Sequence, residues 1–210
     1  VLKRIISLTL VGLLLIAFAV VPALALLQTG QQAPGFQLSD LSNNAHKLSD
    51  YRGKVVVIGF FTPYCGYCQD DAKKDLIPLY NSYYKNNANV QFLSICADSS
   101  TTTTIQSVYL QATGSIPWPV LTNGGNLQTT YNFNSVPTVY VIDPVGKIAL
   151  AMQYPIDVQT LKTTIDKFAV SGQPTQLSLS ADNQAPTVGQ SVTFTATLKS
   201  STTPLSSRSV

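Results

Sequence analysis

The sequence predicts an α/β protein: a mixed central sheet sandwiched between helices, entered through an N-terminal β-hairpin and followed by a partial all-β segment. Three observations carry that expectation. Residues 54–61, KVVVIGFF, form a continuous β-branched and aromatic run, the pattern of a strand buried on both faces. Strand-like and helix-like stretches then alternate as β-α-β-α, followed by β-β-α, an order that builds a sheet covered by helices. The first two sheet strands, separated by a helix, should be parallel with a right-handed crossover. The turn DPVGK at 143–147 joins two further strands so tightly that they must pair antiparallel.

The elements follow in chain order. Residues 1–25 read as a signal peptide or membrane anchor, with Lys3 and Arg4 before an apolar run from Ile5 to Val21, then Pro22 and an Ala23-Leu24-Ala25 cleavage pattern. Cleavage is the preferred reading, and both readings place the rest of the chain outside the cytoplasm. Residues 26–35 read as a tether. Alternation across 36–54, with turn residues Ser42-Asn43-Asn44, suggests the hairpin. After the first buried strand, Ala72, Leu76, Leu79, Tyr80 and Tyr83 recur at helical spacing, with Asp70 and Asp71 expected in the first turn and a kink at Pro78. Val90 to Ala97 is a second buried strand. A helix near Thr103 to Thr113 follows, with Ser99 and Ser100 as candidate N-caps and Gly114 as C-cap. A loop with a short helix leads to strands at Thr138–Asp143 and IALAMQ, and Asp157 caps a last helix ending near Ala169.

Composition narrows the function. The chain has 210 residues, 11% of them charged, and a formal net charge of +3 with scattered Lys and Arg. That balance lacks the basic stripe of a nucleic-acid binder. Export gives meaning to the three cysteines, because disulfides persist outside the cytoplasm.

Cys65-Gly66-Tyr67-Cys68 sits between the end of a buried strand and the start of a helix. Unpaired N–H groups and a partial positive charge at a helix start lower a thiol's pKa, making it a nucleophile near neutral pH. Cys65 is then the attacking thiol and Cys68, further into the helix, the resolving one. A zinc site would need four ligands, and only Cys96 and His46 remain to supply them. A plain structural disulfide is a second alternative, but so small a ring restrains little of the unfolded chain. His46 reads as a surface turn residue, Cys96 as an inert core thiol, and Trp118 and Pro119 as core packing. The residues alone allow Pro137, after Val136, to be an ordinary strand-entry proline.

Taken together, APGFQLSDL, LSDYRGKVVVIGFF, PYCGYC, IPWPVLTN, YNFNSVPTVYVID and GKIAL resemble the thioredoxin-like superfamily, and within it the exported TlpA-like (redoxin or AhpC/TSA-like) thiol–disulfide oxidoreductases. The resemblance implies a thioredoxin-like three-layer sandwich over 36–170, with Cys65 and Cys68 catalytic. It implies that Val136 and Pro137 form a cis-proline loop that receives substrate, and that Tyr64, Gly66 and Tyr67 line the same site. It implies no cofactor, because the electrons reside on the cysteines. The implied partners are protein thiols or disulfides outside the cytoplasm and a membrane-embedded redox partner. Gly59 stands where thioredoxins carry a buried acid, so the proton acceptor of Cys68 and the direction of electron flow stay open, with reductase favoured. Peroxiredoxins use a longer spacing than that from Pro63 to Cys65. After a linker at 171–174, residues 175–210 resemble the opening strands of a surface Ig-like repeat and read as an incomplete β-sandwich module. A cell-surface interaction protein using the fold as a scaffold is the alternative function.

Overall fold

The computed structural model describes residues 26–169, 176–181 and 192–199. β1 (Gln37–Ser39) and β2 (Ala45–Lys47) form the expected hairpin, with Leu38 opposite His46. Asp40 closes its turn: Oδ1 accepts from the Ser42 and Asn44 N–H groups at 2.8 and 2.9 Å.

β3 (Val55–Phe61) pairs parallel with β4 (Val90–Cys96), as the intervening helix requires. That helix, α1, is continuous through Gly66–Asp71, Ala72–Leu76, Ile77–Leu79 and Tyr80–Tyr84, the second and fourth stretches being π-helical. Pro78 lies between these two wide stretches. Irregular turns of this kind accommodate a residue that has no N–H to donate. α2 runs through Thr102–Thr104, Ile105–Leu110 and Gln111–Thr113. Its N-cap is Thr101, not Ser99 or Ser100: the Thr101 hydroxyl accepts the Thr104 N–H at 3.2 Å. Gly114 ends it at φ 80°, as expected.

One strand was missed. β5 (Val120–Leu121) adds to the edge of β4, opposite Ser94 and Ile95. After α3 (Leu127–Thr130) come β6 (Thr138–Ile142) and β7 (Ile148–Gln153), antiparallel to each other. α4 (Val158–Ala169) is capped by Asp157, whose Oδ1 accepts from Gln159 N at 3.0 Å and Thr160 N at 3.2 Å. The sheet order is β5-β4-β3-β6-β7, mixed as expected.

Strand alternation divides the core. Val55, Val57, Phe92, Val139 and Val141 pack against α1 and α4 through Leu76, Leu79, Leu161 and Ile165. Val56, Ile58, Phe60, Ile95 and Tyr140 face the opposite layer, where Leu127, Tyr131 and Leu48 cover them.

Residues 26–35 are docked rather than a tether. Gly30 N donates to Ile148 O at 2.8 Å and Ala33 N to Gly146 O at 2.9 Å, while Leu26 and Leu27 pack on the core. β7 is an edge strand, and this segment satisfies backbone groups that the edge would otherwise leave unpaired. Beyond α4, β8 (Gln176–Ala181) pairs antiparallel with β9 (Phe194–Lys199), the two strands read from the alternating pattern. The segment expected to be a signal peptide or anchor at 1–25 and the expected linker at 171–174 lie outside the described residues, as does most of the Ig-like assignment. Among the described residues no helix is long and apolar enough to cross a membrane.

The loop after β5 approaches β4 closely. A Cβ on Gly124 would lie 2.4 Å from Ile95 Cγ2 and 2.8 Å from the Cys96 carbonyl oxygen. Gly124→Ala should therefore destabilise the fold by about 1–3 kcal/mol in urea denaturation. Gly66→Ala, where a Cβ meets nothing within 4 Å, should stay within about 0.5 kcal/mol of the unaltered chain or gain slightly.

Candidate active site

The chain leaves β3 at Phe61 and turns into α1 within residues 62–64, closed by Cys65 N donating to Thr62 O at 3.2 Å. Cys65 is the N-cap of α1, with extended backbone, and its Sγ accepts the Cys68 N–H at 3.1 Å. That is the helix-start environment that favours a thiolate. Cys65 and Cys68 are joined as a disulfide, with Cα atoms 5.2 Å apart. Cys65 is half-buried and Cys68 buried, so the first sulfur is the one a substrate can reach. Asp70 and Asp71 fall beyond the first turn, because the helix begins at Gly66.

The second half of the site comes from the entry to β6. The Val136–Pro137 peptide bond is cis, and the Val136 carbonyl oxygen lies 3.7 Å from Cys65 Sγ. Side-chain bonds hold this loop. Gln153 Nε2 donates to Ser135 Oγ at 2.9 Å and Asn134 Oδ1 at 3.1 Å, and Thr138 Oγ1 donates to Ser135 O at 2.6 Å. Tyr64, Gly66 and Tyr67, in and beside the cysteine turn, are all exposed. The structure thus gathers the cysteine turn and the proline loop at one end of the sheet.

Sequence reasoning missed Asp71. It lies one helical turn after Cys68, on the same inward face, and only 4% of it is exposed. Its Oδ1 meets no hydrogen-bond donor. Burial, with the Asp75 charge adding to it, pushes its carboxyl up from 3.8 to about 7. Beside it is the cluster of Phe61, Cys68, Ala72, Cys96 and Tyr109, and the Tyr109 phenol is itself pushed up by burial and by the Asp71 charge. A buried acid is therefore present, but on the helix rather than on β3. At Gly59 a Cβ would meet Leu76 Cδ1 at 3.5 Å, an ordinary contact. The signal was in the sequence, as an acid three positions after Cys68 in phase with its buried face, but Asp70 and Asp71 both read as first-turn charges suited to the helix dipole.

Cys96 is fully buried, and its thiol donates to Asp98 Oδ1 at 3.1 Å. Burial pushes it up to about 12, helped by that bond to Asp98, so it stays protonated. Trp118 packs in the core on Phe92 and Tyr80, with Nε1 donating to Ser94 Oγ at 2.9 Å. His46 is not a surface turn residue: it lies on β2, half-buried, with Nε2 3.1 Å from Asp40 Oδ2 and Nδ1 2.5 Å from Tyr51 Oη.

The folded chain holds the Asp71 proton more tightly than the unfolded chain does. Its contribution to stability is therefore full below about pH 4 and is lost as the pH rises towards about 7. Asp71→Asn should stabilise the protein at pH 8 by on the order of 1–3 kcal/mol relative to its effect at pH 4. Urea melts at the two pH values measure this, and equal effects at both would show that Asp71 does not titrate in this range.

The AhpC/TSA family model matches residues 29–151. The chain is similar to the thioredoxin-like protein YneN of Bacillus subtilis, 30% identical over 125 residues that span 58% of this chain and 69% of that one. It is similar to the thiol-disulfide oxidoreductase ResA of Bacillus cereus, 27% identical over 125 residues, 58% of this chain and 68% of ResA. Its fold matches the crystal structure of a candidate thiol:disulfide interchange protein DsbE from Chlorobium tepidum, with TM-score 0.57, 26% identity, and coverage of 68% of this chain and 99% of that one. A cysteine pair opening a helix, facing a cis-proline loop in a thioredoxin fold, and a family match over more than half the sequence lead to one conclusion: the chain belongs to the AhpC/TSA family, as a thiol–disulfide oxidoreductase.

Proposed function

We propose that this oxidoreductase works outside the cytoplasm on protein cysteines, in the reducing direction. The observation that carries the exchange with protein cysteines is the 3.7 Å approach of Cys65 Sγ to the Val136 carbonyl, which sets a backbone edge beside the reachable sulfur. An extended substrate segment can pair with that edge while its own sulfur meets Cys65.

In the reduced enzyme the Cys65 thiolate attacks one sulfur of a substrate disulfide. A bond forms between the two sulfurs, the substrate disulfide breaks, and one substrate cysteine leaves as a thiolate. Cys68 then passes its proton to the Asp71 carboxylate and attacks Cys65 Sγ. The second substrate thiolate leaves, and two electrons have moved from the enzyme pair to the substrate. The Cys65–Cys68 disulfide is the product state. A carboxyl raised to about 7 is matched to this task, because it can accept and return a proton near neutral pH. Val136 and Pro137 shape the groove, and Tyr64, Gly66 and Tyr67 frame it.

The exported location rests on the basic and apolar pattern of residues 3–21. The direction rests on the resemblance to reducing members, with electrons returned by a membrane-embedded partner. The β8–β9 hairpin supports an Ig-like module over 175–210 that would display the redox domain. It also favours the second reading, a surface interaction protein that uses the fold as a scaffold. The intact cysteine pair weighs against that reading, since a scaffold has no need of it.

Cys65→Ala should abolish reduction of insulin disulfides. Cys68→Ala should accumulate a mixed disulfide on Cys65, while Cys96→Ala should keep most of the activity. Equilibration with dithiothreitol should give a potential near about −270 mV; a value near about −120 mV would reverse the proposed direction. A scaffold would be inactive in every form and would bind its partner without either thiol.

A further inference from the structure

Tyr154 follows β7 and takes no part in the chemistry above. Its backbone N–H donates to the Pro137 carbonyl at 3.1 Å. Its ring packs on Tyr67, with centroids 4.6 Å apart and planes inclined at 36°. One residue therefore connects the proline loop to the turn between the two cysteines. Packing in the core does not explain the pair, because Tyr154 is 50% exposed, Tyr67 62%, and Tyr64, beside Cys65, 75%. Large aromatic rings left in water around a reactive sulfur mark a contact surface, since they supply wide apolar area at small entropic cost.

The exchange reaction determines what must lie on those rings. A substrate sulfur bonded to Cys65 sits beside the Val136 carbonyl, which is 3.7 Å from Cys65 Sγ. In an extended segment side chains alternate between faces, with a rise of about 3.3 Å per residue. The residues two before and two after the substrate cysteine therefore share its face, about 6–7 Å away along the strand. The immediately adjacent residues point away from the enzyme. We infer that Tyr154, with Tyr67 and Tyr64, forms a specificity surface selecting substrates that carry aromatic or large aliphatic side chains two residues from the reacting cysteine. This inference rests on the exchange reading of the same site and adds the substrate class to it.

The test uses three disulfide-linked peptides reduced by the full chain, with dithiothreitol as electron donor. One carries Phe two residues from each cysteine, one carries Ser there, and one carries Phe only next to the cysteine. The first should have a kcat/KM about tenfold above the other two, mainly through KM. Tyr154→Ala should bring that ratio close to one, and Tyr154→Phe should preserve it. If Tyr154→Ala slows all three peptides by the same factor, its role is structural and the inference is overturned. If the unaltered chain reduces all three at one rate, the aromatic surface fails while the exchange reading stands. If it reduces none, the exchange reading fails and takes this inference with it.

Discussion

The antiparallel pairing of Phe60 with Thr138 is the constraint on which the site depends. β3 delivers the cysteines at its C-terminal end, and β6 begins just after the proline loop. Because the two strands run in opposite directions, those two ends lie side by side. Cys65 and Val136 are 71 positions apart in the sequence and still meet at 3.7 Å. Backbone bonds alone would not fix this register, since a slipped pair re-forms them. Side chains fix it, because a slip of one residue turns every side chain to the other face. Phe60 is fully buried, with its ring centroid 4.5 Å from Phe133, 5.4 Å from Tyr131 and 6.2 Å from Tyr140. Moving that ring to the helix-covered face would leave a cavity on one side and overpack the other, costing several kcal/mol.

The three cysteines show how position, rather than residue type, decides reactivity. Cys65 sits at a helix start and receives an N–H from Cys68, an arrangement that favours the charged form. Cys68 is buried on the first turn of the helix, and Asp71 is buried one turn after it. Cys96 is buried at the end of β4, where burial and the bond to Asp98 push its thiol up to about 12, although it shares a core cluster with Cys68. A Cβ at position 59 would meet Leu76 Cδ1 at 3.5 Å, an ordinary contact, while Asp71 is buried one helical turn after Cys68.

Much of this was legible because it is local. The buried runs of β3, β4 and β6, the tight β6–β7 turn and the cysteine spacing each occupy a few consecutive residues. The proline loop became readable only through resemblance, since Pro137 by itself allows an ordinary strand entry. What escaped depends on distant partners. β5 has only two residues and exists because β4 offers it an edge. Residues 26–35 lack any pattern and are held by hydrogen bonds to Gly146 and Ile148. Thr101 was hidden in a run of four threonines, where composition gives no preferred cap. His46 sits among turn residues, and only the folded hairpin brings Asp40 and Tyr51 to its ring. Tyr154 gave no signal, because its contacts to Pro137 and Tyr67 require both halves of the site to be assembled.

Two features of the structure oppose stability, and both occur around the same disulfide. A carboxyl with an unpartnered oxygen is buried one turn from Cys68, where an apolar residue of similar volume would be better tolerated. Three tyrosine rings stand in water around Cys65, where smaller polar side chains would be indifferent to the fold. In the core the large aromatics Phe60, Phe92, Tyr131 and Tyr140 are fully enclosed. Departures from local consistency are expected where function opposes stability. Here they differ in kind: the proposed mechanism uses the buried acid as a proton acceptor, and the inferred specificity surface uses the exposed rings to meet a substrate. The acid sits behind Cys68 and the rings lie in front of Cys65. If the rings select substrate as inferred, preference can be altered there by changes that a stable core tolerates, while the geometry of the cysteine pair stays fixed by the register beneath them.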